Sequence, residues 1–302
     1  MSQASSISTQ RRFGLDRVCR VWRTSRSSIY ARRQREAQPP EQRPQPRKPG
    51  PVGACSDEQL AEHIRELIAA SPFFGEGYRK VWARLRNRGI RTSKERVLRV
   101  MREHDLLAPQ RTGTPRGPKA HDGTIITDQP DEMWGTDMTA TVTTEEGTAA
   151  VFVAVDHCTA ECIGIHAAGR GTRFEALEPI RQGVREHFAG VGPGAAEGLT
   201  LRHDHGTQYM SDHFQQELTF LGIESSPSFV REPEGNGCAE RFIRTLKENL
   251  LWVRTFDTIE QLRQALIEFK DRYNREWLIQ RHGHRTPEQV RADHQPLLEN
   301  AA

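Results

Sequence analysis

Cysteine, methionine and tyrosine are scarce in this chain: five, five and four among 302 residues. The cysteines (Cys19, Cys55, Cys158, Cys162 and Cys238) are odd in number and scattered, which argues against a disulfide framework. Cys158 and Cys162 lack a second pair at zinc-finger spacing and read as buried small residues bracketing a strand start. Long apolar runs are also missing, and none approaches the roughly 20 residues of a membrane-spanning helix. The opening MSQASSISTQRRFG has no apolar stretch of the secretory kind. A cytoplasmic chain without membrane contact is the expectation. No heptad series runs over three or four repeats, so no element stands out that would pair two chains as a coiled coil.

Charge is abundant but unevenly placed. Residues 1–120 carry 26 Lys and Arg against 11 Asp and Glu, whereas residues 121–302 carry 17 against 29. A basic arm joined to an acidic module suggests a polyanion partner held by the first part. A solvated helical surface is the bland alternative.

Helical periodicity governs the first hundred residues. Leu15, Val18, Cys19 and Trp22 share one face; Ser25 is placed to cap a second helix carrying Ile29 and Tyr30. Residues 1–37 thus read as a basic helix-turn-helix-like hairpin, with Arg26 a candidate DNA contact. Six prolines between Pro39 and Pro51 make residues 38–55 an extended linker. Residues 56–108 read as a three-helix DNA-binding module. Ser56 and Gln59 form a capping box, and Thr92 with Glu95 caps the third helix. That helix sets Val97, Val100 and Met101 on one face and Arg96 and Arg99 on another, which suits a helix lying along DNA.

After a second breaker-rich linker, residues 109–130, the texture changes. Strands are expected at residues 134–142, 149–155, 162–168, 199–202 and 223–228. Helices are expected at residues 172–188, 211–221, 238–252 and 258–275. Phe174, Leu177, Ile180, Val184 and Phe188 fall on one side of the first of these helices. Strands followed by strand–helix alternation give an α/β fold, a mixed sheet with flanking helices. The core is drawn at residues 131–255, with a C-terminal helix and basic tail at 256–302.

Three acids stand out by position. Asp137 lies inside a strand in WGTDMT, Asp204 just past a strand in LRHDHGTQY, and Glu240 in the first turns of a helix in GNGCAERFIRTLKEN. A carboxylate in a buried sheet is costly unless paired or metal-bound. Three convergent carboxylates supply the oxygen ligands that Mg²⁺ or Mn²⁺ prefers. Two such ions can hold the attacking and leaving oxygens of a phosphodiester exchange. Asp137 and Asp204 are separated by 66 residues, Asp204 and Glu240 by 35. Glu224, Glu232, Glu234 and Glu248 are alternative third acids, but they miss this spacing.

The pattern, with the motifs WGTDMT, HDHGTQYMS, EGNGCAERFIRTLKEN and YNREWLIQRHGHRTPEQV, resembles the catalytic core of the retroviral-integrase (DDE) superfamily. More narrowly, it resembles the OrfB-type transposases of insertion-sequence family three. VCRVWRTSRSSIYARR and the segment from GEGYRK to HDLLA resemble that family's two N-terminal regions, so the likeness spans nearly the whole chain.

The resemblance implies a ribonuclease-H-like core that cuts and joins DNA at the terminal inverted repeats of an insertion sequence. It implies two bound divalent ions, target DNA as second substrate, and a homo-oligomer on DNA. It also implies an upstream OrfA-type protein or a frameshift fusion with it. Lys247, seven residues after Glu240 on the same helical face, takes the family's phosphate-contacting role. Arg241 and Arg244 are weaker candidates for DNA contact. Asn236 is read as loop-shaping or substrate-contacting, and His203 and His205 as packing or DNA contacts. Asp156 reads as a turn former. A decayed, DNA-binding regulator and a nuclease without strand transfer are the competing classes.

Overall fold

The structure is a computed structural model that describes residues 4–39, 55–109, 125–188, 190–228 and 236–294. Both linkers therefore fall mostly outside the described residues. Two compact units divide at residue 52.

The first unit holds α1 (Leu15–Val21) and α2 (Arg26–Ala37), as the periodicity predicts. Cys19 is the one buried hydrophobic side chain among its described residues. Ser25 precedes α2 but makes no side-chain cap; its hydroxyl meets that of Ser27 instead. The Arg26 guanidinium stands 3.5 Å from the Asp16 carboxylate across the turn.

The second unit opens with α3 (Asp57–Ala70), α4 (Tyr78–Asn87) and α5 (Lys94–Glu103) around Leu60, Ile64, Val81, Leu85, Val97 and Val100. The Ser56–Gln59 capping box is formed in both directions. The cap of α5 is Ser93, whose hydroxyl accepts from the Arg96 N–H, one residue later than the expected Thr92. The loop before α4 seats this module on the rest of the unit. Phe73 meets the Trp277 ring edge-on at 4.9 Å, and the Phe74 N–H donates to Asn249 Oδ1 at 2.7 Å.

The sheet follows in the order β3-β2-β1-β4-β5. Its strands are β1 (Met133–Thr143), β2 (Gly147–Asp156), β3 (Cys162–Ala168), β4 (Thr200–His203) and β5 (Glu224–Pro227). The first three are joined antiparallel; β1, β4 and β5 run parallel. β2 is an interior strand between β3 and β1 and is buried from Ala149 to Asp156, so its alternate residues serve two cores. Val151, Val153 and Val155 pack under α8 (Gly237–Leu246) and α9 (Ile259–Glu276), against Phe242, Leu246, Leu266 and Phe269. Ala150, Phe152 and Ala154 face α6 (Arg173–His187) and α7 (Asp212–Leu221), meeting Leu177, Ile180, Val184 and Phe214. This is the mixed sheet with flanking helices that the element order predicts.

Three expectations are corrected. Phe174, placed on the apolar side of α6, is 52% exposed, because the stripe into the core begins at Ala176 and Leu177. The core does not stop at residue 255, since α9 contributes a full face to the cluster under β2. The basic tail contains α10 (Pro287–His294), which Arg291 ties to Asp131 at 2.7 Å and to Glu161.

Helix and sheet come together tightly at Gly164 of β3, where an added Cβ would collide with the Pro179 backbone carbonyl of α6. Overpacking at so tight a point costs about 1–3 kcal/mol. Gly164→Ala is therefore expected to lower the urea midpoint while leaving the denaturant slope unchanged.

Candidate active site

Parallel pairing between β1 and β4 is short: Met133 with Thr200, Trp134 with Leu201 and Gly135 with Arg202. Past Gly135 the two strands part company. Asp137 stands two residues along β1, half-buried, its Oδ1 accepting the Met138 N–H at 2.7 Å. Asp204 follows the last residue of β4, exposed, its Oδ1 accepting the Gly206 N–H at 2.8 Å. Glu240 rises from the first turn of α8 and is exposed. Strand ends and helix starts of open α/β sheets are where sites are assembled.

The electrostatics of Asp137 tie the group together. Its carboxyl is pushed up to about 6, chiefly by burial, with the Met138 N–H opposing and the charges of Asp204 and Glu240 adding to the rise. Lys247 pulls the other way. All four predicted residues thus act on one spot. Among the described residues, however, no three His, Cys, Asp or Glu side chains are gathered closely enough to hold an ion. The donor set is all carboxylate oxygen, the chemistry that Mg²⁺ or Mn²⁺ takes, and a cation would relieve the repulsion that Asp137 carries.

Lys247 ends the α-helical run from Gly237, so it keeps the Glu240 face two turns on. The helix predicted to run to Trp252 changes there to a π-turn over Lys247–Leu251. Single π-turns inside helices cluster at functional sites. Arg244 pairs with Glu248 at 3.1 Å, which accounts for that alternative acid, and Arg241 is exposed.

Two candidate DNA contacts have other work. Arg96 donates to Asp57 at 2.8 Å and to the Cys55 carbonyl at 2.7 Å; Arg99 reaches Asp57 at 2.8 Å and Glu103 at 2.9 Å. Hydrogen bonds from both arginines lower the Asp57 carboxyl, Arg99 more than Arg96. They clamp α3 to α5, with Arg96 mostly covered and the Arg99 side chain still 39% exposed. Arg65, Arg79, Arg86, Arg88, Arg91, Lys94 and Arg102 are the exposed cations among the module's described residues, with Arg65 paired to Glu62.

Asp156 is a turn former, its carboxylate accepting from the Asp131 N–H and from Thr159. His203 is fully buried, hydrogen-bonded to Ser225 and stacked on Tyr209, so it packs; His205 is exposed. Sequence reasoning overlooked Tyr209. Its ring is wholly buried beneath the site, and burial raises its phenol, with the charges of Asp137 and Asp204 adding to that. Its signal was available in the HDHGTQY motif, five residues past Asp204. Gly135 and His157, which lie close to Asn236, were overlooked as well.

Comparison with known proteins finds three family matches along the chain. Residues 56–113 match the HTH-like domain family, and residues 127–233 and 221–287 match two integrase core domain families. Transposase InsD for insertion element IS2A/D/F/H/I/K of Escherichia coli is 28% identical over 228 residues, covering 73% of this chain and 74% of that protein. InsD for insertion element IS2-9 of Escherichia coli K12 is likewise 28% identical, over 73% and 72% of the two chains. Among solved structures, the simian T-cell lymphotropic virus intasome in complex with PP2A regulatory subunit B56 gamma superposes with a TM-score of 0.44. It is 18% identical, over 82% of this chain and 77% of that one. The HTLV-2 integrase catalytic core domain in complex with magnesium gives 0.40 at 17% identity, over 54% of this chain and 98% of that one. With an HTH-like domain ahead of an integrase core and similarity to InsD across most of its length, the chain belongs to the transposases that carry an integrase (DDE) catalytic core.

Proposed function

We propose that Asp137, Asp204 and Glu240 are the catalytic carboxylates of this transposase, holding two divalent ions while one strand at each element end is cut and joined to target DNA. The observation that carries this reading is the convergence of Asp204, Glu240 and Lys247 on the raised carboxyl of Asp137. When bound, Mg²⁺ or Mn²⁺ supplies Lewis-acid stabilisation of charge at the reacting phosphate. The acids act as ligands and orient the attacking oxygen, first of water and then of the freed 3′ hydroxyl. No covalent enzyme intermediate is required. Lys247 contributes a cation to a phosphate next to the scissile one, and Arg241 lies on the same helix.

DNA docking belongs to the basic residues before the core. Arg96 and Arg99 shape the module from within, so contacts fall to Arg86, Arg88, Arg91, Lys94 and Arg102, with Arg26 in the first unit. These residues neutralise phosphates and release counterions, which makes binding steeply salt-dependent. Two ends must be held together for coordinated cutting. A homo-oligomer assembled on DNA meets that need, joined by an upstream OrfA-type product or fused to it, since no heptad series is present in this chain. The protein works in the cytoplasm, where its DNA lies.

A labelled duplex carrying the inverted repeat that flanks the coding sequence, incubated with plasmid and MgCl₂, tests the reading. Joined product is expected, more of it from the fusion with the upstream frame than from the 302-residue chain. Nicking without joining would instead make the protein a nuclease, and end binding with neither would make it a regulator.

A further inference from the structure

Asparagine ahead of a helix ordinarily accepts from the helix's first free N–H groups. Asn236 precedes α8 and makes no such cap. Its side chain is turned away from the helix, and Nδ2–H donates to the Thr136 carbonyl of β1 at 2.9 Å, buried and a hundred residues distant in sequence. Thr136 is the first β1 residue beyond the last pair with β4, and it immediately precedes Asp137. The contact therefore falls at the fork where β1 and β4 separate, and it joins that fork to the start of the helix bearing Glu240.

The surroundings are built for this contact. An added Cβ on Gly135 would lie 2.6 Å from Asn236 Oδ1 and 2.8 Å from His157 Nε2, so glycine is needed for both side chains to close over the strand. His157 is wholly buried and fixed on three sides. Its backbone N–H donates to the Met133 carbonyl, its Nδ1 to the Ile125 carbonyl, and its own carbonyl accepts from Arg281 at 2.7 Å. With Nδ1 as donor to a carbonyl, Nε2 of the neutral ring is an acceptor. Yet Nε2, like Asn236 Oδ1, is buried with no hydrogen-bond partner among the described residues. Leaving two acceptors bare is costly, and such groups call for an explanation beyond stability.

We infer that Asn236, hydrogen-bonded to the Thr136 carbonyl and closed over Gly135, is a positioning residue: it sets the distance between the Asp137–Asp204 fork and Glu240. This rests on the active-site reading above. The latch makes α8 move as one piece with β1, so the third carboxylate reaches the other two at a fixed separation. Loss of a group that orients metal ligands characteristically weakens metal affinity or activity by roughly 10–100-fold.

The full-length protein, with Asn236→Ala, Gly135→Ala, the double variant and Asp204→Asn as control, gives the test. Mn²⁺ binding without DNA is read by electron paramagnetic resonance of the free ion, beside end cleavage, end binding and melting temperature. Asn236→Ala and Gly135→Ala should each weaken Mn²⁺ binding and slow cleavage by roughly 10–100-fold with end binding close to wild type. Melting should stay close to wild type in Asn236→Ala, whereas Gly135→Ala, whose Cβ must displace two buried side chains, should melt lower. The double variant should be no worse than the poorer single one, because both break one contact. Wild-type Mn²⁺ affinity and rate in Asn236→Ala, or losses in that variant that simply follow a lowered melting temperature, would overturn the inference. Should Asp204→Asn still cleave, the active-site reading itself fails. If Asp204→Asn is inactive while Asn236→Ala behaves as wild type, the latch alone is wrong.

Discussion

Asp137→Asn, Asp204→Asn and Glu240→Gln are each expected to lower strand cleavage and joining by about 10³-fold or more, equivalent to about 4 kcal/mol of transition-state stabilisation. Each substitution removes one negative charge from a site whose members already sense one another. On the proposed reading the three acids share one metal site, so the three effects should not add: a double variant should be scarcely worse than a single one. End binding should survive, because it depends on cations located before the core. Gel shifts at fixed salt, run beside the cleavage assay, separate the two functions. Substantial Mg²⁺-dependent joining by any one variant would remove that residue from the catalytic set. Lys247→Ala belongs in the same series with a milder outcome, since it loses a phosphate contact and no metal ligand.

The positions of the three acids were readable because each sits in a short local motif: a strand with hydroxyl neighbours, a strand end, and a helix start. Strand and helix periodicity placed β1 to β3, α6 and α9 for the same reason, as buried faces repeat every two or every 3.6 residues. What stayed hidden is what joins residues far apart in the chain. Nothing near Arg96 and Arg99 announces that Asp57, some forty residues earlier, will absorb both guanidiniums. Periodicity assigns them to a face of α5 and leaves open whether that face meets water, DNA or another helix. α10 was lost in a basic tail because its anchor, Arg291, pairs with Asp131 and Glu161 more than a hundred residues back. The Asn236–Thr136 contact is of the same kind. Local sequence showed Asn236 inside a glycine-rich turn, where loop shaping and substrate contact look alike.

Asp137→Asn carries a second expected result, opposite in sign to its effect on catalysis: without divalent cations the variant should be the more stable protein at neutral pH. The Asp137 carboxyl titrates at about 6 in the folded chain, against about 3.9 when unfolded. A carboxyl raised on folding binds its proton more tightly in the native state. Its ionisation therefore subtracts stability progressively as pH rises from about 4 to about 6, and the full penalty, up to about 3 kcal/mol, is present at pH 7. Asparagine cannot ionise, yet its Oδ1 can still accept the Met138 N–H that the aspartate accepts at 2.7 Å. Melting of the cation-free variant at pH 7.5 should thus lie several degrees above wild type, with the gap shrinking towards pH 4.5. Mg²⁺ or Mn²⁺ should then raise the wild type and leave the variant nearly unmoved, since the charge the ion offsets is gone. An Asp137→Asn protein that melts lower than wild type at pH 7.5, and still gains stability from Mn²⁺, would show that the cost of burying the Asp137 charge beside Asp204 and Glu240 is not what the site holds in reserve.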